Sequence, residues 1–80
     1  MKVRILISPR PGILDPEGSA VAQALSELGY TEVTEVRAGR VIRLELDADD
    51  PEQARLRAVE MCEKLLANPV IEIYEIEIEH

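Results

Sequence analysis

Val-Thr-Glu-Val-Arg-Ala-Gly-Arg-Val-Ile-Arg-Leu-Glu-Leu, residues 33–46, is the stretch on which the fold turns. Its β-branched and aliphatic residues call for extended backbone, and only Arg37-Ala38-Gly39-Arg40 interrupts them. That break is either a tight hairpin joining two strands or a bend in one long strand. The flanking runs are short enough to pair across a glycine-containing turn, so two strands are expected, with a single bulged strand as the alternative. Ile42, Leu44 and Leu46 share one face.

Upstream, Val3, Ile5 and Ile7 alternate with Lys2, Arg4 and Ser8 as a one-sided strand does, while Leu6 interrupts the polar face. Pro9-Arg10-Pro11-Gly12 forces a turn, because neither proline donates to a ladder. Asp15-Pro16-Glu17 then reads as helix cap, first helical position and first-turn acid. Val21, Ala24, Leu25 and Leu28 recur at helical spacing, and Gly29 supplies the stop. Downstream, Asp50-Pro51-Glu52-Gln53 repeats the device with a glutamine at capping-box spacing. The second helix carries a stripe of Ala54, Ala58, Met61, Cys62, Leu65 and Leu66. Asn68-Pro69 ends it, since asparagine accepts a left-handed conformation and proline cannot continue a helix.

The last segment, Val70 to Glu79, changes phase: Ile71 and Ile73 are odd, whereas Tyr74, Ile76 and Ile78 are even. Either a bulge lies near Ile73-Tyr74 or both faces are covered locally, and cover on the second face must come from another chain. The order β-α-β-β-α-β predicts one domain over residues 1–80, a ferredoxin-like α+β fold with two helices on one face of an antiparallel sheet. Leu6, Val41 and part of the last strand would expose apolar surface on the opposite face, which predicts a homodimer, or a tetramer, built through the sheet.

Sixteen acids against nine bases give eighty residues a net charge of −7. A core of this size supplies only about 3–5 kcal/mol, which again favours assembly. Nucleic acid is a poor partner for such a charge, and the two tyrosines offer no stacking platform. No apolar run approaches the roughly 20 residues of a bilayer span, and the start of the chain leads into a strand rather than a signal-peptide hydrophobic region. The expected compartment is the cytoplasm, and the single Cys62, which cannot form an intrachain disulfide, agrees with it.

Few residues carry chemistry. His80 is a terminal, solvated histidine, Cys62 reads as a small buried hydrophobe, and the acids lie spread over helix surfaces and a strand rather than converging on a metal. Glu72, Glu75, Glu77 and Glu79 read as edge protection, or as a docking face for a basic partner. Arg10, Arg37, Arg40 and Arg43 lie in or beside turns, where arginine meets a carboxylate or phosphate bidentately. The Pro9-to-Gly12 loop lacks the glycines and amide donors of a phosphate loop.

Three segments resemble the PurS family, the small subunit of phosphoribosylformylglycinamidine synthase. They are Pro9-Arg10-Pro11-Gly12-Ile13-Leu14-Asp15-Pro16-Glu17-Gly18, Leu28-Gly29-Tyr30 followed by Val36-Arg37-Ala38-Gly39-Arg40, and Leu65-Leu66-Ala67-Asn68-Pro69-Val70-Ile71-Glu72-Ile73-Tyr74. Arg10 and Arg40 stand where the family usually has lysine, so charge is kept. The resemblance implies a non-catalytic member of an ATP- and glutamine-dependent carbon-nitrogen ligase of purine biosynthesis, which converts formylglycinamide ribonucleotide (FGAR) to the amidine (FGAM). It implies two partner chains, a PurQ-type glutaminase and a PurL-type synthetase, with this chain as a dimeric bridge supporting ammonia transfer. No cofactor is expected on this chain, with ATP and magnesium belonging to the synthetase. Arg10, Arg37, Arg40, Asn68 and Tyr74 are the expected interface residues. The rival reading is an ACT-like module binding a small molecule at its dimer interface, which fold analogy alone does not separate from the first.

Overall fold

Five elements follow one another in the computed structural model, which describes residues 1–79: strand β1 (Lys2–Pro9), helix α1 (Pro16–Glu27), strand β2 (Arg40–Glu45), helix α2 (Pro51–Met61) and strand β3 (Glu72–Glu79). A π-helical turn, Cys62–Leu66, prolongs α2. The strands form one antiparallel sheet in the order β2-β1-β3. Val3, Ile5 and Ile7 of the central strand stand opposite Leu44, Ile42 and Arg40 on one side and Ile78, Ile76 and Tyr74 on the other. That inner face packs under α2 and the turn that prolongs it, where Ala54, Ala58 and Cys62 are wholly buried; their small side chains bring the helix close to the sheet. The antiparallel sheet with α2 packed across it is the ferredoxin-like arrangement.

Residues 33–46 resolve differently from the expected hairpin. No turn forms at Arg37–Arg40: β2 is a single strand, and residues 33–39 run ahead of it outside any strand. A two-residue hairpin needs positive φ in its turn, and among the described residues only Gly12 and Gly29 have it. Arg40 is the last residue of β2 to face β1, opposite Ile7, so the chain before it leaves β1 two residues short of that strand's end, with no strand to pair. Gly39 marks the crossing, since a Cβ there would run into the Ile7 carbonyl oxygen.

Helix α1 accompanies this overhang. Its Gly18 is buried against Asp15 and the Val36 carbonyl, and α2 alone supplies the helix packed on the sheet, against β3. The single chain therefore has a core and an arm. Its extents are 49 × 26 × 14 Å and its radius of gyration is 15.7 Å, where a compact chain of this length has about 12 Å. Its accessible surface is 5908 Å², about 1,100 Å² more than a folded monomer of this mass exposes.

The helix ends follow local chemistry. Asp15 accepts from the Gly18 amide at 3.0 Å and Asp50 from the Gln53 amide at 2.8 Å, each ahead of a proline. The Gln53 carboxamide oxygen accepts from Asp49 rather than from the cap residue, one position off a capping box. Gly29, with φ +100°, closes α1 in a Schellman motif: its amide bonds Ser26 and the Tyr30 amide bonds Leu25. Asn68 does not take the expected left-handed conformation. The extended Ala67 ends the π-helical turn, and the Asn68 side chain accepts from the Val70 amide in an Asx turn. No bulge accounts for the phase change in β3, whose register with β1 is unbroken from Glu72 to Glu79. Tyr74, Ile76 and Ile78 face the core, and the odd Ile73 stands on the outer face.

Candidate interaction surface

Three of the four sequence-predicted arginines converge on one corner, where β1 ends, the arm begins and the chain turns from α2 into β3. Arg10 donates from Nε to the Pro69 carbonyl at 2.9 Å while its amide bonds Ile71. Arg37 Nη2 donates to the Pro9 and Arg10 carbonyls, both at 2.8 Å. Arg40 grips the Glu72 carboxylate through both terminal nitrogens, at 2.7 and 3.3 Å, and also reaches the Leu66 carbonyl at 2.7 Å. Asn68 joins through its amide, which donates to Glu72 at 2.8 Å. The Arg40 guanidinium first, and that amide second, hold the Glu72 carboxyl below its usual range. Tyr74 stands at the edge of the same corner, donating to Glu63 at 2.8 Å, and this bond pushes its phenol pKa upward. These donors serve the chain's own carbonyls and carboxylates, so the corner ties the arm to the core. Arg43 lies elsewhere, on the outer face of β2.

Asp15 is the residue whose importance sequence reasoning underrated. Beyond capping α1, it accepts from the Ala38 amide at 2.9 Å, joining the helix to the overhang. The Ala38 amide, then the Gly18 amide, keep its carboxyl below the ordinary 3.8, against a smaller desolvation effect, and Arg37 adds to the lowering. An Asp-Pro pair signals a cap, but nothing in it signals a partner 23 residues away.

Two apolar areas are left bare. On the outer face, Leu6, Val41 and Ile73 cluster at one end, while Arg4 pairs with Glu77 at 2.8 Å and Lys2 sits between Glu45 and Glu79 at the other. Val41 is exposed as expected and Leu6 is half-buried, so the bare apolar surface is confined to one end of that face. The second is on the inner face beside α2. There Leu44, Met61, Leu65 and Leu66 line a groove of about 320 Å³, rimmed by Arg57, Glu60 and Lys64. Leu65 is 82% exposed. In a two-helix arrangement the other helix would lie here, yet α1 is in the arm, with Leu28 73% and Leu14 86% exposed. Residues 13–36 carry five acids and no base, opposite in sign to the Arg57 and Lys64 of the rim.

Cys62 is buried, and burial, followed by the neighbouring Glu63 charge, pushes its thiol pKa upward, away from a reactive thiolate. Among the described residues, no group of three His, Cys, Asp or Glu side chains is placed to hold a metal, and no helix is long and apolar enough to cross a membrane. His80 lies outside the described residues.

Comparison with known proteins agrees with this picture of a small subunit. The family model for PurS, phosphoribosylformylglycinamidine (FGAM) synthase, matches residues 2–80. The phosphoribosylformylglycinamidine synthase subunit PurS of Bacillus subtilis is 46% identical over 78 residues, 98% of this chain and 92% of its own. The crystal structure of Methanocaldococcus jannaschii PurS, one of the subunits of formylglycinamide ribonucleotide amidotransferase in the purine biosynthetic pathway, superposes with a TM-score of 0.87 at 40% identity, covering 98% of this chain and 94% of that one. A chain in the structure of PurLQS from Thermotoga maritima gives 0.86 at 36% identity, covering 95% and 93%. With its corner, arm and groove on this shared scaffold, the chain belongs to the PurS family of phosphoribosylformylglycinamidine synthase.

Proposed function

We propose that this chain is a non-catalytic subunit of the phosphoribosylformylglycinamidine synthase complex of purine biosynthesis, acting as a homodimer that bridges a PurQ-type glutaminase and a PurL-type synthetase in the cytoplasm. In that complex, glutamine-derived ammonia converts FGAR to FGAM, with ATP and magnesium used on the synthetase. The observation that carries the reading is the separation of arm from core. A helix with an uncovered apolar stripe and a sheet with an uncovered apolar groove sit on one chain, and a second copy related by a two-fold axis satisfies both at once. The surplus of about 1,100 Å² exceeds the roughly 800 Å² that one partner of a stable interface buries, so the chain has enough uncovered surface for one. Acid on the arm and base on the groove rim favour that seating. Family membership, and the likeness to a chain of PurLQS, support the bridge over an ACT-like sensor. The Arg10–Arg37–Arg40–Asn68–Tyr74 corner, exposed where arm meets core, is the proposed contact with the larger subunits.

The test is reconstitution with a glutaminase and a synthetase of the family. Glutamine-dependent synthesis of FGAM requires this chain, while synthesis supplied with ammonium chloride proceeds without it. Undiminished glutamine-dependent turnover in its absence refutes the bridge. A melting temperature raised by an amino acid on the isolated chain would favour the sensor.

A further inference from the structure

Strands β2 and β3 are the two edges of the sheet, and an edge strand is an invitation to any other strand. The ladder's phase tells which groups each edge presents. The Arg10 amide bonds the Ile71 carbonyl, so the bonded pairs between β1 and β3 are Ser8 with Ile73, Leu6 with Glu75 and Arg4 with Glu77. The intervening residues Tyr74, Ile76 and Ile78 therefore turn their backbone N–H and C=O groups outward. On the other side, Met1 and Leu46 exchange both bonds at 2.8 Å, which leaves Val41, Arg43 and Glu45 facing outward from β2.

The two edges are treated differently. Arg55 of α2 reaches over β3 and donates from Nη1 to the Ile76 carbonyl at 3.0 Å, in the middle of the outward row. The row's first amide, that of Glu72, is already bonded to Asn68 at 2.7 Å. Glu75, Glu77 and Glu79 add charge to the same strand. Among the described residues, no side chain bonds the outward backbone of Val41, Arg43 or Glu45. The open edge is also the one beside the apolar groove, through Leu44. We propose that Arg55 is an edge guard: by occupying the Ile76 carbonyl it closes β3 to strand addition and confines sheet extension by a second copy to β2. One usable edge per chain gives a closed pair, whereas two would permit an open-ended stack of sheets.

The guard is tested on the full chain by Arg55→Met, which keeps the stem packing and removes the donor, beside Arg55→Lys, which restores one, and Glu52→Gln as a surface control on the same helix, outside the groove. Sedimentation velocity over a hundredfold concentration range reads the mass, and amide hydrogen exchange reads the edge. Expected for Arg55→Met is a weight-average mass rising to about twice that of the wild type or more. New protection at Tyr74, Ile76 and Ile78 should accompany it, with both effects reduced in Arg55→Lys and absent in Glu52→Gln. A lowered melting temperature with unchanged mass and unchanged exchange at those amides makes Arg55 a helix-to-strand latch and overturns the proposal. Should Arg55→Met fail to fold, Arg55→Leu, which likewise has no donor, carries the same comparison. The wild-type mass separately reports the homodimer, so a monomeric wild type would refute that reading without deciding the guard.

Discussion

Replacing Leu65 by alanine separates an isolated chain from half of a dimer. Leu65 is 82% exposed in the single chain, so a purely monomeric protein loses almost nothing, within about 0.5 kcal/mol for a surface substitution. If a second copy's arm lies on the groove, nearly the whole side chain is buried on association. The change removes roughly three methylene equivalents at about 0.8 kcal/mol each, or about 2 kcal/mol per site after allowing for the part already buried. Two-fold symmetry counts the site twice, giving about 4 kcal/mol per dimer and a dissociation constant raised about a thousandfold. Sedimentation velocity across concentration measures this directly, with Leu56→Ala, at a 61% exposed leucine of α2 outside the groove, as a control expected to be silent. A Leu65→Ala protein with wild-type mass at every concentration and a wild-type melting curve would refute the groove as a dimer surface.

Other expectations follow from the corner and the core. Arg40→Met removes the bonds to Glu72 and Leu66 and should destabilise by about 1 kcal/mol, a figure discounted because the Arg40 side chain is 51% exposed; urea melts measure it. Glu72 and Asp15 both have carboxyl pKa values lowered in the folded chain, from 4.5 and 3.8. Their contribution is therefore complete above those values and is lost as pH falls through the lower folded ones, and Glu72→Gln should flatten that acid limb of the melting-temperature profile. Gly39→Ala forces a Cβ onto the Ile7 carbonyl and should cost about 1–3 kcal/mol in thermal or chemical unfolding; a neutral result would show that the crossing is loose. Cys62, buried with a raised thiol pKa, should react with a thiol reagent only as the chain opens, so wild-type labelling at the rate of a free thiol would contradict its burial.

Much of the fold is legible from local residue chemistry. The Asp15-Pro16 and Asp50-Pro51 caps, the Gly29 stop and the alternation of Val3, Ile5 and Ile7 each act within a few residues, and each element appears where they place it. The resemblance carried by the Leu65-to-Tyr74 segment led directly to the family. The hairpin at Arg37–Arg40 failed because composition calls for extended backbone without saying whether another strand lies alongside it. The site was legible in part. Arg10, Arg37 and Arg40 stand out beside turns, but apart from the Glu72 carboxylate their acceptors are the carbonyls of Pro69, Pro9, Arg10 and Leu66, and a backbone carbonyl leaves no mark in a sequence.

The amino-acid order by itself determined the helices, the central strand, the acidic balance and the family, because caps, periodicity and charge are properties of neighbouring residues. Only the tertiary structure decided where α1 goes. The same apolar stripe of Val21, Leu25 and Leu28 would serve a helix lying on its own sheet or one held away from it. The choice depends on the register that ends β2 against β1 at Arg40 and on the bonds from Asp15 to Ala38 and from Arg37 to Pro9, contacts between segments 23 and 28 residues apart. That choice leaves the groove at Leu44, Met61 and Leu65 uncovered, and with it the surface on which the proposed assembly rests.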